Sequence, residues 1–253
     1  MHIFEIRKKR NKCFIKNNFF NYYYKSINKI LFDDEELNKI SRCDYMKYDI
    51  NNTFILNIPS NIKKIEFGFR FNMDIQQYLH ESIKMIIFGW EFNQPIDNLP
   101  SGLEKLILGN KFNQPIDNLP IGLKNLILSP DFNQKVNNLP FGLSMLIFGG
   151  SFNQSVDMLP ESIEIISFCG DFNQKINNLP SNIKTIRLLG YNFSQSINSL
   201  PNSVEIIQLH PKYCLSINKL PYNLQELRFD KSVFGNLDYE RIKRLTNAKI
   251  KFV

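Results

Sequence analysis

Alanine is nearly missing from this chain of 253 residues, where it occurs once, as Ala248. Stacked helical repeats lean on alanine and other strong helix formers, so that architecture is disfavoured. Cysteine is scarce as well. Cys13, Cys43, Cys169 and Cys214 form no C-x-x-C pair, which argues against a disulfide-stapled secreted scaffold. No apolar run approaches the ~18 residues of a membrane-spanning helix. The first residues also lack the uninterrupted apolar stretch and cleavage site of a secretory leader. The expected compartment is intracellular, cytoplasmic by default with the nucleus as an alternative, and no membrane partner is expected. Catalytic signals are absent too. His2, His80 and His210 fall in unrelated positions, and no Gly-rich phosphate loop or G-x-S-x-G occurs. No metal, no cofactor and no enzymatic activity are expected.

Charge is present but uneven. The net charge of +7 arises at the two ends, since residues 1–50 contribute +4, residues 230–253 contribute +3 and the stretch between them is neutral. A nucleic-acid-binding solenoid would set its cations on the repeats, where phosphates lie, so nucleic acid is not the expected partner. The run Arg7-Lys8-Lys9-Arg10 keeps a nuclear or nucleic-acid-associated role open as an alternative.

What is there is a repeat. Phe92-Asn93-Gln94-Pro95-Ile96-Asp97-Asn98-Leu99-Pro100 returns as Phe112 to Pro120, and weaker copies start at Phe132, Phe152 and Phe172, a period of 20 residues. Such a period marks a solenoid. After each proline runs L-x-x-L-x-L, as in Leu103, Leu106 and Leu108, whose last positions alternate as a strand requires. A turn residue follows, often glycine. The burial of one rung's apolar side chains cannot offset the entropy of ordering it, so rungs must stack. The slots occupied by Pro59, His80, Pro100, Pro120, Pro140, Pro160, Pro180, Pro201 and Pro221 imply about nine rungs of a mainly β fold with a parallel sheet.

Three regions are expected. Residues 1–53 form an N-terminal cap, with helical spacing between Phe19 and Ile40; residues 54–237 form the solenoid. Residues 238–253 form a C-terminal cap, with a short helix capped by Asp238 that buries Ile242 and Leu245, then an edge strand guarded by Lys249 and Lys251.

The repeat F-N-Q-P-I-x-N-L-P-x-G-L-x-x-L-x-L resembles the FNIP repeat, a variant of the leucine-rich repeat known from amoebae and from the giant viruses that infect them. The resemblance implies a right-handed leucine-rich-repeat-like solenoid used for protein binding. Some members of that family carry an F-box before the repeats, which implies a further alternative: a substrate adaptor whose partners are components of a cullin-type ubiquitin ligase. Residues 1–50 contain no proline, so they lack the Leu-Pro with which an F-box usually opens.

Two sets of side chains compete as the functional site. The Phe-Asn column (Phe92, Asn93, Phe112, Asn113, Phe132, Asn133, Phe152, Asn153, Phe172, Asn173) is regular enough to be structural, with rings in the core and amides tying rung to rung. The strand positions flanking the central core residue should instead face outward. There Met85, Ile87, Lys105, Ile107, Asn125, Ile127, Met145, Ile147, Ile165 and Arg187 should form an apolar stripe with charge at its ends. A contiguous exposed patch of this kind marks a partner site. The expected function is a non-enzymatic interaction module, monomeric, binding an unidentified protein through the open sheet face.

Overall fold

The computed structural model describes residues 4–9, 12–17, 45–49, 58, 60–210, 217–229 and 239–252. They build one 13-stranded sheet whose strand order follows the chain. Nine of its strands belong to the repeats: β4 (Lys64–Phe67), β5 (Met85–Ile87), β6 (Lys105–Ile107), β7 (Asn125–Ile127), β8 (Met145–Ile147), β9 (Ile165–Phe168), β10 (Thr185–Leu188), β11 (Ile206–Leu209) and β12 (Glu226–Phe229). Each pairs in parallel with the next, so equivalent residues of successive rungs face one another, as Ile86, Leu106 and Leu126 do. That is the geometry of a solenoid in which each rung advances one strand spacing, ~4.8 Å.

The sheet extends beyond the repeats at both ends of the described chain. β1 (Phe4–Lys9) pairs antiparallel with β2 (Lys12–Asn17), which runs parallel to β3 (Tyr45–Asp49), itself parallel to β4. The described parts of the N-terminal cap are therefore strands. The helical spacing from Phe19 to Ile40 lies outside the described residues. At the other end, α1 (Tyr239–Leu245) precedes β13 (Lys249–Phe252), which joins β12 in parallel. Ile242 is buried, but Leu245 is 37% exposed, because it sits on the last turn of the helix, and Asp238 lies outside the described residues.

The core is a set of columns. In each rung the residue after the proline turn, two strand residues, the phenylalanine, the Ile/Val and the Leu before proline point inward, for example Leu103, Leu106, Leu108, Phe112 and Ile116. Phe92, Phe112, Phe132, Phe152, Phe172 and Phe193 stack face to face, with centroids 6.0–6.3 Å apart between neighbours. This step is wider than the ~4.8 Å between strands. Rungs that diverge away from the sheet bend the rod toward it, so the open face of the sheet lies on the inside of the curve.

Turns are as tightly stacked as the sheet. A Cβ on Gly109 would lie 1.6 Å from the Gly89 carbonyl oxygen, and one on Gly149 would lie 1.8 Å from that of Ser129. Where Ser129 replaces glycine in this column, it is fully buried and its hydroxyl donates to the Phe112 carbonyl at 2.6 Å. The second rung absorbs its extra residue in a short 3-10 turn, Gln76–Tyr78. There His80, standing in the proline slot, reaches the Ile58 carbonyl through Nε2 at 2.9 Å.

Candidate functional site

Consider first the corner where the Phe-Asn column sits. The side-chain Oδ1 of each asparagine accepts two bonds from the next rung. Asn93 Oδ1 takes the Asn113 N–H at 2.9 Å and Gln114 Nε2 at 3.2 Å, and Asn113 Oδ1 does the same for Asn133 and Gln134. The series continues through Asn153 and Asn173 to Ser194. These amide oxygens are engaged between rungs, at a corner where the asparagines are half-buried to exposed. A second ladder runs along the next corner, where Asn118 Nδ2 donates to Asp97 Oδ1 and Asn138 Nδ2 to Asp117 Oδ1, each at 3.0 Å. The recurring aspartates thus act as acceptors between rungs.

The open face is built differently. In β5 to β8 the central residue is buried and its two neighbours face outward. In-register pairing stacks Ile87, Ile107, Ile127 and Ile147 into one column. It stacks Met85, Lys105, Asn125, Met145 and Ile165 into the other. The structure therefore brings all these side chains onto one surface, with Arg187 following Ser167 in the isoleucine column. They are half-buried rather than fully exposed. The cause is the short strand spacing, which lets each side chain cover the flanks of its neighbours and leaves only the tips to solvent. The stripe ends at Ser167, which is 3% exposed.

Charge frames this stripe. Glu226 receives Arg228 Nε at 2.5 Å and Lys251 Nζ at 2.7 Å. The hydrogen bond from Arg228 first, and that from Lys251 second, hold its carboxyl at about 2, well below the usual 4.5. Lys105 and Arg187 are in no ion pair among the described residues. Along the strand entrances Glu104 lies 3.9 Å from Lys84 and 3.3 Å from Lys124, and Glu164 lies 3.5 Å from Lys184. No cluster of three His, Cys, Asp or Glu side chains fit for a metal occurs among the described residues. No described helix is long and apolar enough to cross a membrane. Cys169 is partly buried, and desolvation pushes its thiol above its usual value. A thiol in that state is a poor nucleophile.

The most exposed apolar side chains lie elsewhere. Phe69 and Trp90 are 58% and 44% exposed and stack at 5.5 Å on adjacent turns just past the strands. Ile121 and Phe141, which follow Pro120 and Pro140, are 77% and 84% exposed. Reading the repeat by its shared slots passes over these residues, because each occupies a variable slot. The visible signal was two neighbouring rungs with aromatics after the turn glycine, Gly68-Phe69 and Gly89-Trp90.

Comparison with known proteins fits this geometry. The model of the FNIP Repeat family matches residues 75–111, 112–151, 135–171, 152–188 and 172–212, together more than half of the chain. An FNIP repeat-containing protein of Acanthamoeba polyphaga mimivirus is 49% identical over 41 residues, which are 16% of this chain and 10% of that protein. Among solved structures, CroV588, described as a circular leucine-rich-repeat protein, superposes with a TM-score of 0.67 at 30% identity. The match covers 89% of this chain but 31% of CroV588. An internalin of Listeria monocytogenes, InlF, shares the fold with a TM-score of 0.57 at 14% identity, over 96% of this chain and 80% of the internalin. This chain therefore spans only a minor part of the mimivirus protein and of CroV588.

Proposed function

The chain is a member of the FNIP repeat family, and from that premise we propose that it is a non-enzymatic protein-interaction module that seats its partner on the open face of the repeat sheet. The observation that carries this reading is the aligned column Ile87, Ile107, Ile127 and Ile147 on the inner side of the curve. Its tips are accessible, its backbone is fixed by ladder bonds, and its side chains lose little freedom on binding because stacking already restrains them. An apolar stripe on a rigid concave scaffold is a surface that a protein segment can cover with little ordering cost. The ubiquitin-ligase alternative would need a helical docking unit before the repeats. Phe4–Lys9, Lys12–Asn17 and Tyr45–Asp49 are strands of the same sheet, and the Phe19–Ile40 stretch with helical spacing lies outside the described residues, so no observation among the described residues favours it.

The test pairs wild type with Ile107→Asp/Ile127→Asp in quantitative affinity capture from the native cell. Circular dichroism first establishes that both are folded. Proteins retained by wild type and lost from the double variant support the reading. Retention of the same proteins by both excludes the open face as the binding surface.

A further inference from the structure

We infer that the segment seated on the open face is an extended acidic–apolar stretch of a protein, with two carboxylates bracketing apolar side chains. This rests on the open-face reading above and adds the chemistry of the partner.

Residues 51–229 are neutral in sum, yet their charges are sorted by face. The outward positions of β4 to β12 hold Lys64, Lys105, Arg187 and Arg228 against Glu66 and Glu226, and Lys249 and Lys251 of β13 continue the positive side. The balancing acids sit in other slots, such as Asp97 and Asp117 at the corner and Glu104 and Glu164 at the strand entrances. Four cations against two acids give the open face of the repeats a net charge of +2, and the other faces carry the balancing −2.

Two of these cations bracket the rungs of Ile127 and Ile147: Lys105 lies beside Ile107 in the neighbouring column, and Arg187 lies two rungs past Ile147 in the isoleucine column. Lys105 has Met85 and Asn125 as its register neighbours, and Arg187 has Ser167 and Gln208. All four neighbours are uncharged, and neither cation is in an ion pair among the described residues. Arg228 and Lys251, by contrast, are already engaged by Glu226. Arg187 is half-buried before any partner arrives. A partner that covers Ile127 and Ile147 strips more water from it, and a guanidinium losing water without a carboxylate opposes binding. A purely apolar segment leaves that cost standing, and a basic one adds repulsion.

Geometry sets the spacing. Lys105 on β6 and Arg187 on β10 are four rungs apart and offset by two residues along the strand, about 20 Å on the diagonal at ~4.8 Å per rung, which an extended segment spans in about six residues at ~3.3 Å each. Six is even, so both carboxylates and the residues two and four places after the first share one face. The matching pattern is acid-x-apolar-x-apolar-x-acid, laid across the rungs with its apolar pair on the isoleucine column.

Fluorescence anisotropy on the full chain tests this with three labelled peptides of that length. One carries the acidic pattern, one replaces both acids by lysine, and one moves the second acid to an odd spacing. The acidic peptide is expected to bind best. Arg187→Glu should weaken it by about tenfold or more, and Lys105→Glu with Arg187→Glu should transfer preference to the lysine peptide. Ile127→Asp separates the two levels of the proposal. Binding lost in Ile127→Asp but indifferent to peptide charge overturns the acidic partner and leaves the open face standing. Binding unchanged in Ile127→Asp overturns both, as does failure of all three peptides to bind. Tighter, Arg187-dependent binding of single-stranded RNA or phosphatidylserine vesicles also overturns the assignment to a protein segment.

Discussion

Asn113 donates its backbone N–H to Oδ1 of Asn93 at 2.9 Å, and its own Oδ1 accepts the N–H of Asn133 at 2.9 Å. One side-chain oxygen per rung thus satisfies a backbone donor that the corner would otherwise leave unpaired. Asn113→Ala removes the acceptor of Asn133 N–H, whereas Gln134 Nε2 keeps the Asn113 backbone carbonyl at 3.1 Å. The expected cost is about 0.5–1.5 kcal/mol, the net contribution of one hydrogen bond, because water can reach the freed donor at this exposed corner. Asn113→Asp keeps an acceptor in place and should lose less. Chemical denaturation of the three proteins checks the order.

Gly109 is expected to be intolerant of even a methyl group, although the same column accepts Ser129 and Cys169 in other rungs. Gly109→Ala would put a Cβ 1.6 Å from the Gly89 carbonyl oxygen, a backbone atom with no side chain to swing away. Two rungs must separate locally, at a cost of roughly 2–3 kcal/mol or more. Gly142→Ala is the control, since its Cβ would meet the Ile121 carbonyl oxygen at an ordinary 3.5 Å. Thermal unfolding should fall clearly for the first and little for the second.

Acid should loosen the β12–β13 end through one residue. Glu226 is held at about 2 against a usual 4.5 by Arg228 and then Lys251, so folding favours its ionised form. That contribution is complete above 4.5 and is lost as pH falls toward about 2. Glu226→Gln removes it at every pH. The stability gap between wild type and variant should be widest near neutrality and shrink steadily through that window. A gap independent of pH would show that the ion pairs are not its source.

Much of the architecture was legible because the repeat writes each physical constraint in every rung. Leu106, Leu126 and Leu146 recur where a strand turns one side inward, and Gly89 and Gly109 recur where a Cβ would strike the rung before. The sequence also aligned Ile87, Ile107, Ile127 and Ile147 on one face. It did not reveal that they are half-buried, because that depends on the flanks of the rungs on either side. Strands β1 to β3 were not legible, since they join the sheet without sharing its repeat. Phe69, Trp90, Ile121 and Phe141 escaped notice for a related reason. Variable slots carry no periodic signal, and only the stacked geometry shows which of them open to water.

The central claim is that the conspicuous Phe-Asn motif builds the rod while the open sheet face recognises the partner. Site-specific photo-crosslinking with a benzophenone side chain, placed singly at Ile127 and at Phe141, tests this most directly in the native cell. Phe141 is 84% exposed and serves as the rival apolar surface, whereas Ile127 is half-buried on the open face. The expected result is a discrete protein adduct from position 127 that is absent from position 141 and abolished by Ile107→Asp. An adduct from position 141 alone, or one from position 127 that survives Ile107→Asp, would contradict the claim.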